Sequence, residues 1–138
     1  MTSPRVETHF KLVGSFDPQD LTTRLGVTPT AAARKGERAG PSLVTFEQDI
    51  WRLTLPTEDT FEAHHQVETM VELLEGISNR LARAREELQL EAIMTLRIYI
   101  LTSPVVGGTP RCELSHDLMR RLSKLKVDLE IDLFPLDV

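Results

Sequence analysis

Apolar and polar positions alternate most clearly at the two ends of the chain. Val6, Thr8, Phe10 and Leu12 point one way and Glu7, His9 and Lys11 the other, the period of a half-buried strand. On that polar side His9 reads as a solvated histidine. The stretch Val127 to Leu133 alternates more strictly, with Val127, Leu129, Ile131 and Leu133 expected inward and Asp128, Glu130 and Asp132 outward. A third strand, Ala92 to Leu101, is apolar on both faces, so it belongs in the middle of a sheet. A further strand is expected over Ser42 to Leu55, interrupted near Glu47 to Asp49, with Trp51, Leu53 and Leu55 on one face and Arg52 and Thr54 on the other.

Helical signals fill the spaces between these strands. Asp17 can accept from the free amides of a first turn, Pro18 fits where no N–H is needed, and Leu21 and Leu25 form an apolar edge. Gly26 supplies the left-handed residue that ends such a helix, and Pro29 prevents its continuation. The charged stretch from Thr28 to Pro41 reads as a loop. From Thr60 to Leu88, apolar residues recur at spacings of three and four; the pattern suits two helices, about 60–75 and 78–89, with Ser78 as the second N-cap. The seam of a coiled coil is the alternative, against which Gly76 and Ser78 stand in the middle. After a Pro/Gly loop, Ser103 to Pro110, and an extended piece at Arg111 to Leu114, Ser115 caps a last helix with Leu118, Met119, Leu122 and Leu125.

These elements predict a single α+β domain over residues 1–138. Its antiparallel or mixed sheet of four to five strands has helices packed on one face. Two strand–helix–strand units, one near each end, suggest a ferredoxin-like order with a helical insert between strands two and three. Composition agrees, because 41% hydrophobic residues can build a core without a metal or disulfide in a chain of 138 residues. Cys112 is the only cysteine, so no internal disulfide forms, and it reads as a buried structural thiol. No N-terminal signal pattern and no run of spanning length occurs, which points to a cytoplasmic protein with no membrane partner. A net charge of -5 argues against nucleic acid as a partner.

The ordered set Phe16-Asp17-Pro18, Leu21-Thr22, Leu25-Gly26-Val27-Thr28-Pro29, Lys35-Gly36-Glu37 and Trp51 resembles the bacterial domain of unknown function 4279 family. The C-terminal match runs from Glu113-Leu114-Ser115 through Leu118 and Leu122 to Leu129-Glu130-Ile131-Asp132-Leu133-Phe134. The resemblance implies a compact bacterial domain and no particular reaction. Phe134 stands where such proteins are expected to carry tyrosine.

No catalytic constellation and no cofactor motif emerges. Lys35-Gly36-Glu37 lacks the context of a P-loop, Val106-Gly107-Gly108-Thr109 does not open a helix promptly, and no G-x-S-x-G elbow occurs. His64, His65, Glu62, Glu68 and Thr69 could share helical faces, but the histidines diverge by about 100° around a helix, so no metal site is expected. Asp128, Glu130 and Asp132 have a plausible spacing for paired carboxylates and read as solvated charges unless the sheet face forms a cleft.

Charge is unevenly distributed. Residues 41–75 hold eight acids against Arg52 alone, whereas residues 1–40 hold six bases and four acids. Glu58, Glu62, Glu68, Glu72 and Glu75 then form an acidic helix face fitted to a basic protein partner. A non-enzymatic protein-binding module of a bacterial cytosol, in one version an immunity protein that occludes a basic toxin, follows from that face. The alternative is a small-ligand-binding or sensor domain using Trp51, Arg52, Arg97, Tyr99 and Asp132 on the sheet. Self-association through an edge strand would give a homodimer.

Overall fold

The computed structural model describes residues 4–41, 43–101 and 110–136. Among these residues the chain is α+β, with a six-stranded mixed sheet and four helices. The loop containing Gly107 and Gly108 lies outside the described residues. Strand β1 (Arg5–Gly14) leads through α1 (Pro18–Leu25) to the three-residue β2 (Ala31–Ala33), then β3 (Asp49–Thr54) and the two-residue β4 (Glu58–Asp59). Helices α2 (His64–Glu75) and α3 (Ser78–Leu88) precede β5 (Glu91–Leu101), and α4 (His116–Leu125) joins it to β6 (Asp128–Leu136).

The sheet runs in the order β2-β3-β1-β5-β6, with β4 pairing the start of β1. All neighbours are antiparallel except β5 and β6, which are parallel. That pair, joined by α4, is a β–α–β unit of adjacent strands, so the two units are not interleaved as a ferredoxin-like order would require. The strand number also exceeds the expected four to five, because Ala31–Ala33 pairs with β3 inside a segment that reads as loop, and Glu58–Asp59 pairs with β1 just ahead of the segment that reads as helix. Sequence periodicity has no power over strands of two and three residues.

One face of the sheet carries the core. Val6, Phe10, Leu12, Trp51, Met94 and Leu96 pack there against Leu21 and Leu25 of α1, Val67, Met70 and Leu74 of α2, Leu81 of α3 and Leu118 of α4. Fully burying side chains of this kind stabilises by about 1.5–3 kcal/mol each. Trp51 Nε1 donates to Thr22 Oγ1 at 3.0 Å, and that hydroxyl donates to the Pro18 carbonyl, so the one polar atom of the largest core residue is satisfied. Both expected caps form: Asp17 accepts from the Gln19 N–H and Ser115 from the Leu118 N–H. The stretch from residue 60 to 88 divides into two helices at Gly76 rather than continuing as one seam. Ser78 is the first helical residue of α3, and the cap position falls to Ile77, which makes no side-chain capping bond.

The expected inward direction holds for only part of β6. Val127 is buried and Leu129 packs on the core, but Ile131 is 45% and Leu133 59% exposed. They point to the helical side, as alternation requires, yet β6 is the outermost strand and lies beyond the core cluster there.

Candidate functional site: the uncovered face of the sheet

The face opposite the helices is where the polar half of each strand's alternation collects. Register fixes its layout. Lys11 of β1 sits between Arg52 of β3 and Ile93 of β5; His9 sits between Thr54 and Thr95; Glu7 sits beside Arg97, and Arg97 beside Asp132 of β6. Four of the five residues named for a ligand site, Arg52, Arg97, Tyr99 and Asp132, therefore share this face. Trp51 does not: it is fully buried on the opposite side, because adjacent strand residues face opposite ways. A sheet ligand cannot reach it.

His9, read as a solvated histidine, stands in the middle of this surface. Its Nδ1 lies 2.8 Å from Thr54 Oγ1 and its Nε2 3.4 Å from Glu7 Oε2. Burial lowers its pKa below the ordinary imidazole value despite the bond to Glu7, and the charges of Arg52 and Arg97 push in the same direction as burial. Both guanidinium groups are thus felt at the centre of the face. Beyond them Tyr99 stacks on Phe134 with ring centroids 5.2 Å apart, and Arg97 Cζ stands 6.0 Å from the Phe134 ring centre. Arg97 Nε is buried without a hydrogen-bond partner.

Toward β2 the face becomes a cavity of about 380 Å³. Its floor is Ala31, Ala33 and Ile50, its outer wall is Phe46, and Lys11, Arg38 and Arg52 supply three cations against one acid, Glu37. The wall exists because residues 36–46 fold back on themselves: the Gly36 N–H donates to the Phe46 carbonyl, the Phe46 N–H to the Glu37 carbonyl, and the Ala39 N–H to the Val44 carbonyl. Asp49 anchors this loop. Its two carboxylate oxygens accept separately from the Lys35 N–H at 2.8 Å and the Phe16 N–H at 2.9 Å. Those two bonds, the Lys35 one foremost, hold its carboxyl below the usual range despite burial. Among the described residues no acid lies within 4.0 Å of the charged nitrogens of Lys11, Arg38, Arg52 or Arg97, whereas Arg5, Arg24, Arg34, Arg111, Arg120 and Arg121 all make ion pairs. The sequence showed Arg52 and Arg97; the loop that brings Arg38 and Phe46 over the sheet left no periodic signal.

Two other cavities are larger, and in each of them arginines are tied to groups of the chain itself. In one of about 480 Å³ between α3 and α4, Arg85 donates to the Leu125 and Lys126 carbonyls and so closes the end of α4. In another of about 450 Å³, Arg24 pairs with Asp20 and Glu87, and Arg80 donates to the Leu25 carbonyl.

The acidic residues named for partner binding do not form one helical face. Glu58 lies in β4 and Glu62 precedes α2, because Thr60 to Ala63 are not helical. Glu62 lies 3.6 Å from His64 Nε2, Glu68 lies 3.8 Å from His65 Nδ1, and Glu75 makes a two-pronged contact with Arg121 at 2.6 and 3.0 Å. Arg121 holds the Glu75 carboxyl below its ordinary range, so this charge is neutralised within the chain. One candidate metal-ligand group occurs among the described residues, His64, His65 and Glu68, with ligand atoms within 4.8 Å of one another. His64 Nδ1 accepts a 3.4 Å bond from the Glu113 N–H and its Nε2 faces Glu62, so both ring nitrogens already have neighbours within the chain. Burial raises the pKa of the Cys112 thiol, the reverse of what activates a nucleophile.

Among the described residues no helix is long and apolar enough to cross a membrane. Comparison with curated proteins and with solved structures gave no match. A family model does match residues 4–136, nearly the whole described chain, and the protein belongs to the family Domain of unknown function (DUF4279).

Proposed function

We propose that this chain is a small-ligand-binding module, of a bacterial cytosol, whose ligand is an organic anion held on the uncovered sheet face near Arg52. The observation that carries this is the cavity beside Phe46: three cations without ion-pair partners among the described residues, around an apolar floor, on a protein of net charge -5. Unpaired cations on an acidic protein mark a place where an anion gains more than the protein's overall field takes away. The floor of Ala31, Ala33 and Ile50 with Phe46 alongside suits an apolar body, and Lys11, Arg38 and Arg52 suit a carboxylate or phosphate at its rim. Binding rather than catalysis is favoured because Cys112 is held as a thiol and His9 is already engaged with Thr54 and Glu7.

The protein-partner reading loses the continuous helical field on which it rested, since Glu75 is spent on Arg121 and Glu58 lies in a strand. Thermal unfolding with phenyl phosphate, benzoate and indole-3-acetate, against phenol and benzylamine as uncharged and cationic controls, tests the ligand proposal. A bound ligand at 100 times its dissociation constant stabilises by about 2.7 kcal/mol. The anions are expected to raise the Tm of the native chain and to lose that effect in Arg52→Gln. Equal shifts with phenol, or shifts that survive Arg52→Gln, would sink the proposal.

A further inference from the structure

A second surface is independent of that cavity and lies at the other side of the sheet. β6 is the terminal strand in the sheet order, and no described strand pairs with its outer edge. Such an edge is a template for another chain unless it is short, covered or made repulsive. Here it spans Asp128–Leu136, with exposed Ile131 and Leu133 on its helical side beside exposed Met119 of α4, while Phe134 lies on the other face against Tyr99. That other face also carries Asp128, Glu130 and Asp132 at alternate positions, and among the described residues none of the three is in an ion pair within 4.0 Å.

We infer that β6 is the docking edge for an extended segment of another protein in which basic and apolar side chains alternate. The pattern of β6 dictates that partner. A strand added beside it places side chains directly opposite its own on each face, so apolar residues meet Ile131 and Leu133 while cations meet Glu130 and Asp132. A second copy of this chain is the wrong occupant. An antiparallel β6–β6 pair centred on Ile131 sets Glu130 against Asp132 twice over, and like charges directly opposite are destabilising. The acids therefore act as a selector: they keep the edge from pairing with itself and favour a strand of the opposite charge.

The test uses the full chain and two capped synthetic peptides, KVKIKVK and EVEIEVE, titrated while the backbone amide resonances of the protein are followed. KVKIKVK is expected to bind at least tenfold more tightly than EVEIEVE, with the largest shifts in β6 and β5. In Glu130→Lys/Asp132→Lys the order of the two peptides is expected to reverse. The comparison on the native chain stands by itself should that variant not fold. Equal affinity for both peptides, no binding of either, or shifts centred on α2 would overturn the inference. So would light scattering that finds the chain alone to be a dimer with protected β6 amides.

Discussion

Asp49 ties two segments distant in sequence to the start of β3. Each of its oxygens takes one backbone N–H, from Lys35 and from Phe16, so it joins the cavity loop to the turn between β1 and α1. Asn is the same shape but offers one oxygen and one NH2, and the NH2 would face a donor. Leaving a buried donor unmet costs about 1–3 kcal/mol, so Asp49→Asn is expected to lower stability in urea unfolding at pH 7 by that amount. The folded carboxyl titrates below its unfolded value, which is about 3.9, so the unfolded state is the one that binds the proton more readily. The stability contributed is therefore complete above pH of about 4 and lost as pH falls through the folded value. The gap between native and Asp49→Asn should narrow over that window and stay constant from pH 5 to 8. Nothing in the sequence marked this residue, because its partners are backbone groups 14 and 33 positions away.

At the scale of elements, what was legible is what is written locally. The caps Asp17 and Ser115, the stop at Gly26, the division of the residues 60–88 into two helices and the central place of β5 all follow from side chains within a few positions of one another. What was not legible depends on neighbours distant in sequence. Ala31–Ala33 became a strand only because β3 presented an edge, and Ile131 and Leu133 remained exposed because the core cluster stops short of β6. The ligand face was half visible: alternation put Arg52, Arg97, Tyr99 and Asp132 together, but it also excluded Trp51 by parity, and it gave no hint of Arg38 or Phe46. The helix ends permit a paired test. Gly26 has φ +70° and Lys126 has φ 55°, both left-handed, each ending a helix. An ordinary residue costs roughly 1 kcal/mol there relative to glycine. Gly26→Ala should thus lower the urea midpoint, and Lys126→Gly should raise it, each with an unchanged m-value. A methyl at Gly26 would also meet Arg80 Nη1, which must then give up its bond to the Leu25 carbonyl, so the loss in Gly26→Ala adds to the backbone cost.

Across the whole molecule the two charge patches have opposite sign and lie on different strands of one sheet. The cations cluster on β3, β1 and the loop over β2; the acids line β6, with β5 between. Neighbouring strands lie about 4.8 Å apart, so Arg52 and Glu130 belong to strands separated by roughly 14 Å. At 0.15 M salt the screening length is about 8 Å, and at 0.01 M about 30 Å. The patches should then behave as strangers in ordinary buffer and as weakly coupled neighbours in dilute buffer. Arg52→Gln is expected to leave the affinity of β6 for KVKIKVK nearly unchanged at 0.15 M and to strengthen it by no more than about threefold at 0.01 M, because each of the four peptide lysines, on a strand about 19 Å from that of Arg52, is worth only about 0.2 kcal/mol unscreened in water. Titrations at the two salt concentrations give the comparison. A large effect of Arg52→Gln at 0.15 M would mean that peptide and anion compete for one surface, and the separation of ligand face from docking edge would fail with it.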